Sequence, residues 1–382
     1  MKNNSDKGKN VILLGIVSFL NDLSSEMIMP ILPMFITSLG GTGLSIGLIG
    51  GLRDSITSFL QVLSGYLSDR TGKRKIFVYS GYLTSAVFKL LLSFSRIWHH
   101  VLIFASLERI GKGIRTAPRD SIIADSMPKK RGKGFGIHRA FDESGAILGT
   151  VVVFLLLWFM DFDFSRIIFI AAIISFLSIV PLHFVSEEKR KPKKITLIIS
   201  LRKLSMPLKL FILVAGIFAL SNFSYMFFIM KAQESFTDKF AIAIPILLYA
   251  LFKMSKVIFS ISFGILSDRF GRRNVLIFGY LIFSIACLGF AYFNSLIAFI
   301  ILFSIYGLAD AIVDGNQRAF VSDLSPDSLR STALGTYHTT IGLMALPSSI
   351  VAGLLWQVSP EMTFIYGGVA SIIASILFIA II

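Results

Sequence analysis

GYLSDRTGKRK at residues 65–75 returns as GILSDRFGRRN at residues 264–274. Both copies read G-x-L-S-D-R-x-G followed by cations, and Asp69 and Asp268 stand 199 residues apart. The echo extends outward from there. Asp125-Ser-Met-Pro128, with Gly136 beyond it, is matched by Asp323-Leu-Ser-Pro326 and Gly335. Near the start of each half, Gly15-Ile16 with Asn21 is matched by Gly216-Ile217 with Asn222. A repeat at half the chain length means two units of the same topology. The expected division is 1–185 and 209–382, joined by a basic connector at 186–208. The connector contains the short amphipathic run ITLIISLRKL, which is expected to lie on a membrane surface.

Charged residues make up 15% of the 382 and hydrophobic residues 54%. An average soluble domain is roughly 25% charged, so the expected solvent is the bilayer. A hydrocarbon core of roughly 30 Å takes about 20 residues of helix. Stretches of that kind fall at 11–38, 44–68, 75–97, 100–124, 134–160, 165–185, 209–235, 241–267, 274–294, 296–322, 332–357 and 361–382. They predict an all-α membrane protein of twelve transmembrane helices in two six-helix bundles. The apolar run after MKNNSDKGKN reads as an uncleaved first span, because no small-residue cleavage site follows it.

A net charge of +15 would suggest nucleic acid as a partner in a soluble protein. The distribution argues otherwise. Of the 37 Lys and Arg, 26 fall in the N-terminal tail and in or beside alternate loops, 4 (Arg96, Arg166, Lys231, Lys239) on or near the opposite side, and 7 deeper within spans. That asymmetry places a multi-pass protein in the cell membrane with both termini cytoplasmic, and makes lipid rather than nucleic acid the partner. The one cysteine, Cys287, excludes an internal disulfide and a Cys-based metal site. The five histidines sit at span ends or loops and form no ligand set. Gly111-Lys112-Gly113 lacks the spacing and the Ser/Thr of a phosphate loop. With no nucleophile–base pair in the spans either, neither a cofactor nor an enzyme is predicted.

The duplicated loop resembles motif A of the major facilitator superfamily. The matching residues are Gly65, Asp69, Arg70, Gly72 and Arg74, then Gly264, Asp268, Arg269, Gly271 and Arg273. Arg109-Ile-Gly-Lys112-Gly113-Ile-Arg115-Thr-Ala117 is similar to that superfamily's motif B, with Lys112 in place of a glutamine and Arg115 in place of a small residue. The resemblance spans the chain. It implies a secondary transporter that functions as a monomer, two bundles rocking about a midplane site, and gating by the ten motif A residues. The expected pairing of Asp69 and Asp268 is with helix N-termini or loop arginines.

Charges inside spans are costly unless paired or hydrated. The set is Arg53, Lys89, Arg109, Lys112, Arg115, Lys253 and Lys256 against Asp22, Glu26, Asp54, Glu108, Asp142, Glu143, Asp310 and Asp314. At 1.5 Å per residue Asp22 lies roughly 16 Å from the cytoplasmic face and Arg109 roughly 13 Å from the outer face, both near the midplane. Asp22 and Glu26 share a helix face. Spans 1, 4, 7 and 10 line the cavity in the resembled superfamily, so Asp22, Glu26 and Arg109 are expected to face one another, as a proton-coupling group or as a static ion pair. On the second half, Asp310 and Asp314 lie at the depth of Lys253 and Lys256, as an ionic lock or as substrate contacts. Arg115, Asn222, Tyr225, Asn316 and Gln317 are the other candidate substrate-binding residues.

Gly136, Gly145 and Gly149 begin a pattern that resembles the antiporter motif C, although Thr150 replaces its proline. Small residues at four-residue spacing also occur wherever membrane helices pack closely. The functional expectation is a transporter of a small organic solute, coupled to protons, with export by antiport favoured. The alternative is a symporter or uniporter of a small anion or metal ion. For the metal, Met27, Met29, Met34, Met226 and Met230 are the candidate thioethers, against their ordinary role as apolar filler.

Overall fold

A computed structural model describes residues 4–128, 130–187, 204–326 and 329–381. The amphipathic run of the connector falls outside the described residues, apart from Leu204. Among the described residues the regular structure is helical, and ten helical stretches are long and apolar enough to cross a membrane. Twelve spans were expected. The two remaining stretches of that length are α3 (Gly43–Thr71) and α5 (Trp98–Ser126), 29 residues each. Arg53-Asp54 interrupts the apolar run of α3, and Glu108, Arg109, Lys112 and Arg115 interrupt that of α5.

Three of the expected spans are broken, the sixth of them only near its end, where the α-helix stops at Leu177 and a 3-10 helix follows at Val180–Phe184. The first is α1 (Asn4–Ile28) followed by α2 (Leu32–Ser38). Pro30 lies in the gap; it has no N–H and disfavours helix in the residue before it. The seventh is α8 (Met206–Ser221) followed by α9 (Met226–Gln233). Here the intervening Asn222-Phe-Ser224-Tyr finds partners off the helix: Ser224 N donates to Ser349 Oγ at 3.2 Å. Such residues let the backbone leave a helix without orphaning its polar groups.

The other helices are α4 (Arg74–Ser93), α6 (Arg131–Met160), α7 (Phe164–Leu177), α10 (Phe240–Phe270), α11 (Arg272–Tyr292), α12 (Leu296–Asp323), α13 (Arg330–Val358) and α14 (Pro360–Ile381). Side-chain caps start two of them: Asp163 accepts from Arg166 N before α7 and Ser295 from Ala298 N before α12.

The chain divides into two compact units, 1–35 with 56–197, and 36–55 with 198–382. In the first unit α4 packs on α5, α1 on α6, and α7 on both α1 and α4. In the second, α11 packs on α12, α8 on α13, and α14 on both α8 and α11. The same set of neighbours is built twice. Close approach in the first unit depends on two glycines of α6: a Cβ on Gly145 would meet Phe19 O and one on Gly149 would meet Leu23 O, so α6 lies backbone to backbone on α1. The second unit is held by stacked aromatic rings, among them Phe228 on Tyr306 at 4.2 Å and Phe252 on Tyr306 at 4.4 Å. It also takes in residues 43–51 of α3, where Gly43 and Gly51 lie against Trp356 and Leu346 of α13.

Candidate functional site

The first unit carries a charged interior. Lys89 of α4 is buried, and its Nζ donates to Ser24 Oγ and Ser25 Oγ, each at 2.9 Å. It also reaches Ser175 Oγ and the carbonyl of Asn21, each at 3.5 Å. Every one of these oxygens is neutral. Arg115 of α5 is likewise buried and donates to Ser85 Oγ at 2.6 Å, with its guanidinium 4.5 Å from the centre of the Tyr82 ring. Lys112, one turn earlier on α5, is exposed. Asp22 of α1 is half-buried, accepts from the Asn21 side chain at 3.3 Å, and interacts electrostatically with Lys89, Lys112 and Arg115.

Arg109 is buried, 3.3 Å from Glu108 through Nε, and donates to Met29 Sδ at 2.9 Å. Asp22 and Arg109 both act electrostatically on Lys89 and Lys112, and Arg109 forms an ion pair with Glu108. Glu26 is half-buried one turn along α1 from Asp22.

A second network was not anticipated from the sequence. Ser18 Oγ shares hydrogen bonds with Tyr82 Oη at 3.1 Å and His138 Nε2 at 2.8 Å, and accepts from Arg119 at 3.2 Å. His138 Nδ1 in turn lies 3.4 Å from Asp142. His138 and Asp142 are four apart on α6, and that spacing was the signal available beforehand. The second unit repeats the positions without the charges. Tyr280 and Gln317 stand 198 residues after Tyr82 and Arg119. Gln317 donates to Tyr280 Oη at 2.7 Å and accepts from Tyr337 at 2.5 Å.

At the end of the helices that bears the repeated loop, each unit has a carboxylate–arginine–carboxylate triad. Arg74 lies 2.5 Å from Asp69, pairs with Asp125, and donates its backbone N–H to Glu187 Oε1. Arg272 lies 3.0 Å from Asp268 and 2.5 Å from Asp323. This corrects one expectation: Arg273, taken as the equivalent of Arg74, instead donates to the carbonyl of Ile379 at 3.0 Å. The physical reason is loop length. Two residues separate α3 from α4, but only Gly271 separates α10 from α11, and the arginine that pairs is the first residue of the helix in both units. Gly72 and Gly271 occupy left-handed backbone at φ 69° and 86°, which glycine adopts without strain. A Cβ on Gly65 would sit 3.2 Å from Ala117, whereas Gly264 has nothing within 4 Å, so the close helix contact is confined to the first copy. Arg70 donates to Tyr66 Oη at 3.3 Å and Arg269 is exposed.

In the second unit Lys256 Nζ lies 2.6 Å from Asp310 and 3.5 Å from Asp314, and Asp314 also pairs with Arg318 at 2.9 Å. Lys253 sits 5.4 Å from the centre of the Tyr249 ring. Asn316 is buried and donates to Ile312 O of its own helix at 2.7 Å. Asn222 is exposed at the end of α8, and the half-buried Tyr225 ring is 5.5 Å from that of Tyr249.

The family model described as Major Facilitator Superfamily matches residues 14–253 and 210–382. An uncharacterized MFS-type transporter of Methanocaldococcus jannaschii, MJ1317, is 56% identical over 385 residues, covering 100% of this chain and 96% of the relative. Multidrug resistance protein MdtG of Rahnella sp. is 31% identical over 188 residues, 47% of this chain and 44% of that protein. Among solved structures, the nucleoside transporter NupG superposes with a TM-score of 0.78 at 16% identity, over 97% of this chain and 98% of its own. The POT family transporter PepTSo superposes with a TM-score of 0.82 at 12% identity, over 97% of each chain. Likeness at that level of identity speaks to the fold alone.

Proposed function

Since the chain belongs to the Major Facilitator Superfamily and is a multi-pass membrane transporter rather than an enzyme, we propose that it is a secondary active transporter. It moves a small organic solute by alternating access, driven by protons, with export by antiport. On this reading α3 and α5 complete a set of twelve spans. The protein works as a monomer in the cell membrane, with the basic termini and loops on the cytoplasmic side.

One observation carries the proton coupling: the half-buried carboxylate of Asp22 sits among Lys89, Lys112 and Arg115, none of which has an ion-pair partner among the described residues. Adding a proton to Asp22 removes a negative charge that three cations share, so protonation and the arrangement of α1 against α4 and α5 are linked energetically. Glu26 and Arg109 extend the group along the same face. Export fits the multidrug resistance name of a relative that matches half the chain, and the Gly145–Gly149 packing against α1. For solute contact, Asn222 and Tyr225 are preferred over Asn316 and Gln317, which are buried on partners within their own unit. Asp310 and Asp314 are read as the carboxylates of a lysine lock, and Asp69 and Asp268 with their arginines as gating pairs.

The test is reconstitution into liposomes that contain a pH-sensitive dye, with a mixed library of organic solutes. Solute-dependent proton flux supports coupling, and its sign under imposed gradients separates antiport from symport. Proton flux that persists in both Asp22→Asn and Glu26→Gln would overturn the assigned coupling group.

A further inference from the structure

We propose that the transported solute carries an anionic group, and that Lys112 is the residue that receives it. The inference rests on the transport reading above and deepens it by naming the substrate class.

Lys112 is the fifteenth of the 29 residues of α5. At 1.5 Å per residue it lies roughly 21 Å from either end of the helix, near the middle of a core of about 30 Å. Between residues 104 and 127 it is the one residue that is exposed as a whole. It makes no hydrogen bond or ion pair among the described residues. A lysine at that depth facing acyl chains is costly unless paired or hydrated. Its surroundings are not acyl chains: the charged groups that act on it are Arg109, Asp22, Arg115 and Glu108, on α1 and α5. Lys112 therefore faces the polar interior of the unit.

The groups around it do not neutralise it. Glu108 is 3.3 Å from Arg109. Asp22 forms no ion pair among the described residues and is shared electrostatically with Lys89 and Arg115. Those two cations are satisfied by serine hydroxyls, a carbonyl and an aromatic face rather than by carboxylates. Neutral partners fix their positions and leave their field in place. The result is a positive potential centred on an exposed ammonium whose three donor hydrogens meet no acceptor among the described residues. An ammonium is a compact point charge that accepts carboxylate or phosphonate oxygen from several directions. A cationic solute would be repelled by three charges. A neutral one would leave the cost of the unpaired ammonium standing. An anion removes it.

The experiment uses the full-length protein in nanodiscs of phosphatidylcholine. Binding is measured calorimetrically for acetate, hexanoate, benzoate and phenylphosphonate, against acetamide, hexanamide and benzamide, and against hexylamine and benzylamine. We expect saturable binding of at least one acid, about tenfold or more tighter than its amide. We also expect loss of that preference in Lys112→Gln and retention in Lys112→Arg. Equal or tighter binding of an amide or an amine by the wild-type protein overturns the inference whatever the variants do, as does binding of no acid, or an acid preference that survives Lys112→Gln. Abolition of acid binding by phosphatidylglycerol in the same nanodiscs also overturns it, because the partner is then a lipid headgroup. Solute-driven flux in liposomes with no acid preference leaves transport standing and this inference refuted. Lys112-dependent acid binding without movement of any solute does the reverse.

Discussion

Replacing Arg74 and Arg272 by alanine, one at a time, should show that the two carboxylate–arginine–carboxylate triads are unequal despite their common design. The Arg74 side chain is 11% exposed and its carboxylates 34% and 30%. For Arg272 the figures are 24%, 64% and 54%. Removing one partner of a buried pair costs about 3–5 kcal/mol, because the charges left behind have lost their compensation. Exposed pairs are worth roughly 0.2–1 kcal/mol. Arg74 lies nearer the first limit, with some discount for its half-wet carboxylates, and about 3 kcal/mol is expected for Arg74→Ala. Arg272→Ala should cost about 1 kcal/mol, since water takes over most of what Asp268 and Asp323 lose. For a unit of this size each kcal/mol is roughly 2–4 °C of melting temperature, so the gap between the two variants should be about 4–8 °C. Thermal unfolding of purified protein in detergent, followed by tryptophan fluorescence, measures it. Equal losses, or a larger loss for Arg272→Ala, would refute the view that burial of the triad sets its contribution.

Three further outcomes are expected. Asp22→Asn keeps the fold and abolishes solute-dependent proton movement in liposomes, which the pH dye reads directly. Lys89→Met, which fills the same volume and lets Ser24, Ser25 and Ser175 pair with backbone, changes stability by less than about 1.5 kcal/mol. Lys89→Ala, by contrast, leaves a hole and costs about 2–4 kcal/mol in the same unfolding assay. Lys112→Gln raises the melting temperature of the solute-free protein by roughly 1–3 °C, because it removes a cation with no ion-pair partner among the described residues; a fall would mean that Lys112 has a structural role.

Much of the architecture could be read from the repeat and the apolar runs, because both are properties of local sequence. The breaks at 29–31 and 222–225 were harder. Pro30 gave a sign of the first, whereas the second depends on Ser349, more than a hundred residues away. The charged residues inside spans were all visible, but their partners were not. Whether Lys89 meets a carboxylate or three serines depends on the rotation of α4 against α1 and α7, which composition does not encode. The same holds for Asp310, whose depth matched Lys253 and Lys256 equally and which meets Lys256. Tyr82, Arg119 and His138 were overlooked because each alone reads as an ordinary helix residue. Their connection runs through Ser18, on a different helix from all three.

The single residue by which the two loops differ governs where the chain tolerates a change of length. Before the loop the copies are 199 residues apart, as at Asp69 and Asp268; in the two helices that follow they are 198 apart, as at Tyr82 and Tyr280. A residue lost at Gly72–Lys73 or gained at Gly271 is absorbed by the turn, and the following helix keeps its orientation. The same change four residues into α11 would turn everything beyond it by about 100°, swinging Tyr280 away from Gln317 and Ser284 away from the Gly368 carbonyl of α14, to which its hydroxyl donates at 2.9 Å. Insertions of one glycine, scanned from residue 270 to residue 280, should therefore be accepted at the turn and rejected within the first turns of the helix.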